Sequence, residues 1–167
     1  PLPEIDENQH PVFNGLMQIA PKWADIEWIV AHTSLPVILK GIVHAQDAKL
    51  ALQYGVQGLI ISNHGGRVLD ACISPITALQ LIKKVVPTDF PLILDGGIRR
   101  GSDVFKALAL GATAVCIGRP YIYGLATAGA LGVAHVLKIL KEEFEITMAL
   151  MGTATVNDIN QEHILHK

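Results

Sequence analysis

Ser62-Asn63-His64-Gly65-Gly66-Arg67 gathers a hydroxyl, an amide, an imidazole and a guanidinium into six positions hinged by two glycines. The apolar run Leu59-Ile60-Ile61 stops just before it, so the polar residues sit where a strand ends. Histidine exchanges a proton near neutral pH, and arginine grips a carboxylate through two parallel hydrogen bonds. An isolated His-Gly-Gly is more often a polar turn, but three neighbouring stretches argue for chemistry. Asp95-Gly96-Gly97-Ile98-Arg99 follows another apolar run and opens a helix. Its glycines let backbone N–H groups approach an anion, a helix N-terminus adds partial positive charge, and Arg99 adds a full one. Gly118-Arg119-Pro120 repeats the idea with one glycine and one arginine. Either loop alone reads as a tight connection; two of them, each bearing arginine, point to phosphate. Lys40 ends a third apolar run, a costly place for a charge unless it meets an anion or snorkels to the surface. Beside His64, Arg67 and a phosphate cradle, a ligand-facing Lys40 is the better reading.

The elements that position these residues repeat. Pro36-Val37-Ile38-Leu39-Lys40-Gly41-Ile42 resembles Pro91-Leu92-Ile93-Leu94-Asp95-Gly96-Gly97-Ile98 with one glycine added, and Asp47, Gly55 and Ser62 match Asp103, Gly111 and Gly118 at one constant spacing. Gly55 and Gly111 fall where a helix C-terminus takes a left-handed residue. Each copy is strand–helix–strand, which places parallel strands at about 37–40, 58–62, 91–95 and 114–118. Trp23, Ile26, Ile29 and Val30 recur at helical spacing, predicting a helix over about 22–32, and Ile76, Leu79, Ile82 and Val86 predict another over about 74–85. Val133, Leu137, Leu140, Phe144, Met148 and Met151 form one apolar stripe on a long last helix, read as core packing. Residues 1–21, with four prolines, read as a loop or tail. Residues 22–152 form the β/α body, and 153–167 a C-terminal segment with a short helix over Thr155–Ile159.

Alternating strands and helices fit an open doubly wound sheet or part of a β/α barrel. Polar or glycine residues end all four strands, which is the barrel habit, so the expectation is a TIM (β/α)8-type barrel. A full barrel needs about 200 residues or more; 167 residues carry only four βα units. Four parallel strands leave apolar edges and an open inner face, to be covered by another chain or another copy. A net charge of −2 argues against nucleic acid and anionic membranes. Cys72 and Cys116 lack metal-ligand spacing and read as reduced thiols, so no metal site is expected. Neither a signal peptide, a bilayer-spanning run nor a Ser-Lys-Leu ending is visible, which suggests the cytoplasm.

Together, Leu35–Ile42, Ser62–Arg67, Asp95–Gly101, Ile117–Pro120 and Trp23-Ala24-Asp25-Ile26-Glu27-Trp28 resemble the FMN-dependent 2-hydroxy acid oxidase and dehydrogenase family, which includes glycolate and lactate oxidases. The likeness covers about residues 22–152 and corresponds to the C-terminal half of the family's barrel, strands five to eight. It implies oxidation of an (S)-2-hydroxy acid to the 2-oxo acid, with oxygen or an electron carrier reoxidising FMN. By resemblance His64 is the catalytic base and Arg67 pairs with the substrate carboxylate. Lys40 contacts the flavin near N1 and O2, and Ser62 binds the same ring region. Asp95, Gly96, Gly97, Ile98, Arg99, Gly118 and Arg119 hold the ribityl chain and phosphate. A homo-oligomer is implied by resemblance alone. Val68 replaces the family's usual glutamine after the arginine. The family's N-terminal half supplies the flavin platform, substrate tyrosines, a second arginine and the aspartate that orients the histidine. These residues alone are therefore expected to bind FMN weakly and turn over little. A non-catalytic half-barrel with residual FMN or phosphate binding is the alternative.

Overall fold

In a computed structural model, residue 4 and residues 6–164 are described, and the chain divides into two compact units, Pro1–Leu35 and Pro36–Lys167. In the first unit, the expected loop over 1–21 is partly helical. Pro11–Leu16 forms a wide helical turn that runs into Met17–Ile19. His10 starts it, its Nδ1 accepting from Val12 N–H at 3.2 Å while its own N–H donates to Asn14 Oδ1 at 2.9 Å. Such a turn is held by local side-chain bonds and leaves no apolar period to read. Helix α1, Trp23–Ala31, follows as expected; Asp25 caps it through the Lys22 N–H.

The second unit carries four parallel strands, β1 Ile38–Lys40, β2 Gly58–Ser62, β3 Leu92–Asp95 and β4 Ala114–Cys116, in the sheet order β1-β2-β3-β4. Helices α2 Ala45–Gln53, α3 Pro75–Ile82 and α4 Gly101–Ala109 connect them. Parallel crossovers share one hand, so strands added strictly in sequence put every helix on the same face. A doubly wound sheet would reverse its order; this one is the arc of a barrel.

Strand register sorts the side chains. Leu59, Ile61, Leu92 and Leu94 share one face and are almost fully buried, together with Ala48, Ala51, Ala78, Leu79 and Ile82 of the helices. At roughly 25 cal/mol per Å², this face supplies most of the hydrophobic stabilisation. The opposite face carries Ile38, Ile60, Ile93 and Ala114, and there Ile38 is 43% exposed. Higher on that face stand Lys40, Ser62, Asp95 and Cys116.

Gly55 and Gly111 end α2 and α4 at φ +74° and +106°, the left-handed geometry their positions predicted. Ser74 caps α3 by accepting from Thr77 N–H, with Pro75 in its first turn. The N-terminus of α4 lies directly on the last helix: a Cβ on Gly101 would stand 2.1 Å from Phe144 N.

That last segment, α5, spans Arg119–Leu150 but breaks at Ala128 and Gly129, the latter at φ +59°, ψ −141°. Its arms meet where Gly124 faces Gly132; a Cβ on Gly132 would stand 1.9 Å from Gly124 O. The apolar stripe is core only in part. Leu140 is buried and Phe144 and Met148 pack on Phe105, Ala109 and Ile159, whereas Leu137 and Met151 are exposed. Among the described residues α5 is the segment long and apolar enough to span a bilayer. It breaks at Ala128 and Gly129, and Lys138, Lys141, Glu142, Glu143 and Glu145 lie on its second arm. The terminal helix over Thr155–Ile159 is a single turn, Val156–Asp158.

Candidate active site at the C-terminal strand ends

Ser62, Asp95 and Cys116 stand level on β2, β3 and β4, and Lys40 lies one step lower on β1. The lysine chain bridges that step: Lys40 Nζ donates to Ser62 Oγ at 3.0 Å and forms a close ion pair with Asp95 Oδ2. Ser62 Oγ donates to the same Asp95 oxygen at 2.6 Å. Burial pushes the Asp95 carboxyl up, but the hydrogen bonds from Lys40 and Ser62, the Lys40 charge and nearby His64 outweigh it and hold Asp95 below its ordinary value. Burial and the Asp95 charge push the Cys116 thiol up, so it stays neutral. Cys72 and Cys116 are both free, and no group of metal-ligating side chains occurs among the described residues.

His64 follows Ser62 in an unusual backbone. At φ +53° it is the one non-glycine with positive φ among the described residues, and Gly65 (+68°) and Gly66 (+75°) continue the left-handed run. Such geometry costs about 1–3 kcal/mol for a side-chain-bearing residue and concentrates at functional sites. Three bonds impose it: His64 N–H to Ser62 Oγ at 3.1 Å, Gly65 N–H to Asn63 Oδ1 at 3.1 Å, and Gly66 N–H to Asn63 O at 3.0 Å. The imidazole packs over Gly41, whose Cβ would stand 3.0 Å from His64 Cε1. Neither His64 ring nitrogen, nor the Arg67 guanidinium, bonds another described residue.

A cavity of about 670 Å³ opens above this floor. Lys40, His64, Arg67, Asp95, Gly96, Gly97, Ile98, Arg99, Gly118 and Arg119, all singled out from sequence, line it. Ser62 does not; it is 1% exposed and lies beneath. Gly41 and Asn63, given no role from sequence, shape the histidine turn; their signal was a glycine at a strand end and an Asx residue before Gly-Gly.

The phosphate cradle differs in one respect from expectation. The N-terminus of α4 is already satisfied: Gly101 N–H donates to Glu143 Oε2 at 2.9 Å, and the Arg99 and Arg100 N–H groups donate to Asp103 Oδ2 at 3.1 and 3.0 Å. Arg100 also turns away, its Nη2 pairing with Glu143 Oε1 at 2.7 Å. Two carboxylates cancel that helix end as an anion site. The available donors lie just before it: the N–H groups of Gly96, Gly97 and Ile98 bond no other described residue, nor do those of Gly118 and Arg119 at the start of α5. A Cβ on Gly97 or Gly118 would meet nothing within 4 Å. Arg119 Nη2 reaches Gly65 O at 3.4 Å and joins the cradle to the histidine turn.

Open space above glycines, spare N–H donors, Arg99 and Arg119 in the cavity lining and an aspartate with Oδ1 unengaged suit a phosphorylated ribityl group. Fold and site thus define a β/α-barrel arc with two arginine-bearing glycine loops beside an imidazole and a free guanidinium. The sequence matches the family described as FMN-dependent dehydrogenase across residues 3–166, and the chain belongs to that family. A 2-hydroxyacid oxidase of Dictyostelium discoideum is 56% identical over 163 residues, 98% of this chain and 42% of that protein. The peroxisomal (S)-2-hydroxyacid oxidase GLO3 of Arabidopsis thaliana is 56% identical over 142 residues, 85% of this chain and 39% of that protein. A crystal structure of mandelate oxidase with benzoyl-formic acid superposes with TM-score 0.81 at 44% identity, covering 84% of this chain and 42% of the other. The chain therefore spans about two-fifths of the length of the relatives it matches.

Proposed function

We propose that this chain forms the cofactor- and substrate-binding strand ends of an FMN-dependent 2-hydroxy acid oxidase, working once the rest of the barrel is in place. The observation that carries this reading is the meeting of His64, Arg67, Lys40 and two arginine-bearing glycine loops around one cavity.

FMN would lie with its phosphate on the N–H groups of Gly96, Gly97, Ile98, Gly118 and Arg119 and on the Arg99 guanidinium, and with a ribityl hydroxyl on Asp95 Oδ1. The flavin supplies the two-electron oxidant. Arg67 pairs with the substrate carboxylate and fixes the 2-carbon, and its lack of a protein carboxylate partner leaves it ready to do so. His64 takes the proton released as the 2-hydroxyl carbon becomes a carbonyl. Lys40 has one N–H left beyond its bonds to Asp95 and Ser62, placed to offset negative charge on the flavin ring edge. The substrate class is an (S)-2-hydroxy acid of the glycolate or lactate kind, and a homo-oligomer is part of the proposal. Two unpaired cysteines suit a reducing compartment such as the cytoplasm.

A second reading, a non-catalytic half-barrel that keeps only FMN or phosphate binding, is favoured by the open inner face around Ile38. One experiment separates the two. The barrel completed with the N-terminal half of a relative is scanned in the visible region, with and without added FMN, and lactate or glycolate is then added without oxygen. A flavin band that bleaches supports a completed oxidase site. A band that forms with FMN but does not bleach supports the second reading, and a completed barrel that stays colourless overturns both.

A further inference from the structure

Ser62 engages its hydroxyl fully within the protein. A hydroxyl offers one donor and two acceptor positions. Here the donor goes to Asp95 Oδ2 at 2.6 Å, and the acceptors take Lys40 Nζ at 3.0 Å and the His64 N–H at 3.1 Å. The residue is 1% exposed and lies outside the lining of the cavity. The His64 N–H it receives belongs to the non-glycine held at φ +53°. A left-handed backbone persists only where its surroundings over-determine it, and Ser62 is the one side chain that bonds that amide. Asn63, the other clamp of the turn, acts on Gly65.

We infer that Ser62 is a positioning residue: its hydroxyl locks the left-handed His64 backbone and joins it to the Lys40–Asp95 pair, so that the imidazole and the ammonium are set by one buried atom rather than independently. This rests on the proposed function only for the meaning of that placement; the placement itself is testable without flavin.

Amide hydrogen exchange of the flavin-free chain is the test. In the unmutated chain the His64 amide should be protected, although its side chain is exposed; an unprotected His64 amide overturns the inference at once. Ser62→Ala should speed exchange at His64 by about tenfold or more, with the amides of α3 unchanged as a control for folding. Ser62→Thr keeps the hydroxyl and should restore protection. If His64 exchange is unchanged in Ser62→Ala while FMN binding weakens, Ser62 is a plain ligand and the inference fails. A completed barrel that binds no FMN would defeat the proposed function and leave this test standing.

Discussion

The imidazole of His64 packs against Gly41, the residue that follows a different strand: a Cβ there would stand 3.0 Å from His64 Cε1, on a backbone held at φ +101°. The glycine after β1 is thus half of the seat that the histidine after β2 occupies. Gly41→Ala meets two obstacles, the ring and the backbone. In the completed enzyme, kcat with lactate or glycolate should fall by about a hundredfold, the usual cost of a misplaced catalytic group. FMN affinity, measured by fluorescence quenching, should change by only a few-fold.

Two glycines near one loop separate binding from folding. Gly97→Ala places a methyl in open space on a backbone at φ +83°, so stability should drop by about 1 kcal/mol while FMN binding weakens tenfold or more. Gly101→Ala drives a methyl to 2.1 Å from Phe144 N, and stability should fall by about 3 kcal/mol or the chain should fail to fold. Urea midpoints and FMN titrations of both variants check the contrast.

Asp95 gives the fold a pH dependence of known sign. Its native carboxyl sits below its ordinary value of 3.8, so the unfolded chain binds its proton first as pH falls. The stabilisation is fully present above that ordinary value and is lost as pH drops through the lower native one. Thermal unfolding should show a steeper acid-side loss in the parent than in Asp95→Asn, which lacks the titration. Equal slopes would remove Asp95 from the account.

Arg67 should act on binding more than on chemistry. Arg67→Lys keeps the charge but loses the paired hydrogen bonds to a carboxylate. KM for the hydroxy acid should rise by about tenfold or more, with a smaller change in kcat. Arg99→Ala should instead weaken FMN and leave KM nearly unchanged.

Much of the fold was legible because it rests on periodic signals. The runs around Leu39, Ile61, Leu94 and Val115 are short, apolar and closed by polar or glycine residues, and the repeated spacing ordered them. Gly55 and Gly111 announced two helix ends. What escaped was local or three-dimensional. The turn at Pro11–Leu16 hangs on His10 and Asn14 rather than on a period. The break at Ala128–Gly129 interrupts an apolar composition that continues on both sides. At the site, residue types and strand ends disclosed what lines the cavity. They did not disclose which partners were already taken: Glu143, over forty residues downstream, occupies the helix start that Arg99-Arg100-Gly101 seemed to offer an anion, and Ser62 spends its hydroxyl below the floor.

The meeting of Gly124 and Gly132 bears on how variation in this chain would be read. Both belong to arms whose other residues are largely exposed, yet their backbones approach so closely that a single methyl at position 132 would overlap Gly124 O. A saturation-mutagenesis survey would score these two positions as intolerant as His64. Neither lines the cavity around His64 and Arg67. Intolerance to substitution on α5 therefore measures the geometry of a helical crossing, and ranking positions by it would place two spacers among the proposed catalytic groups.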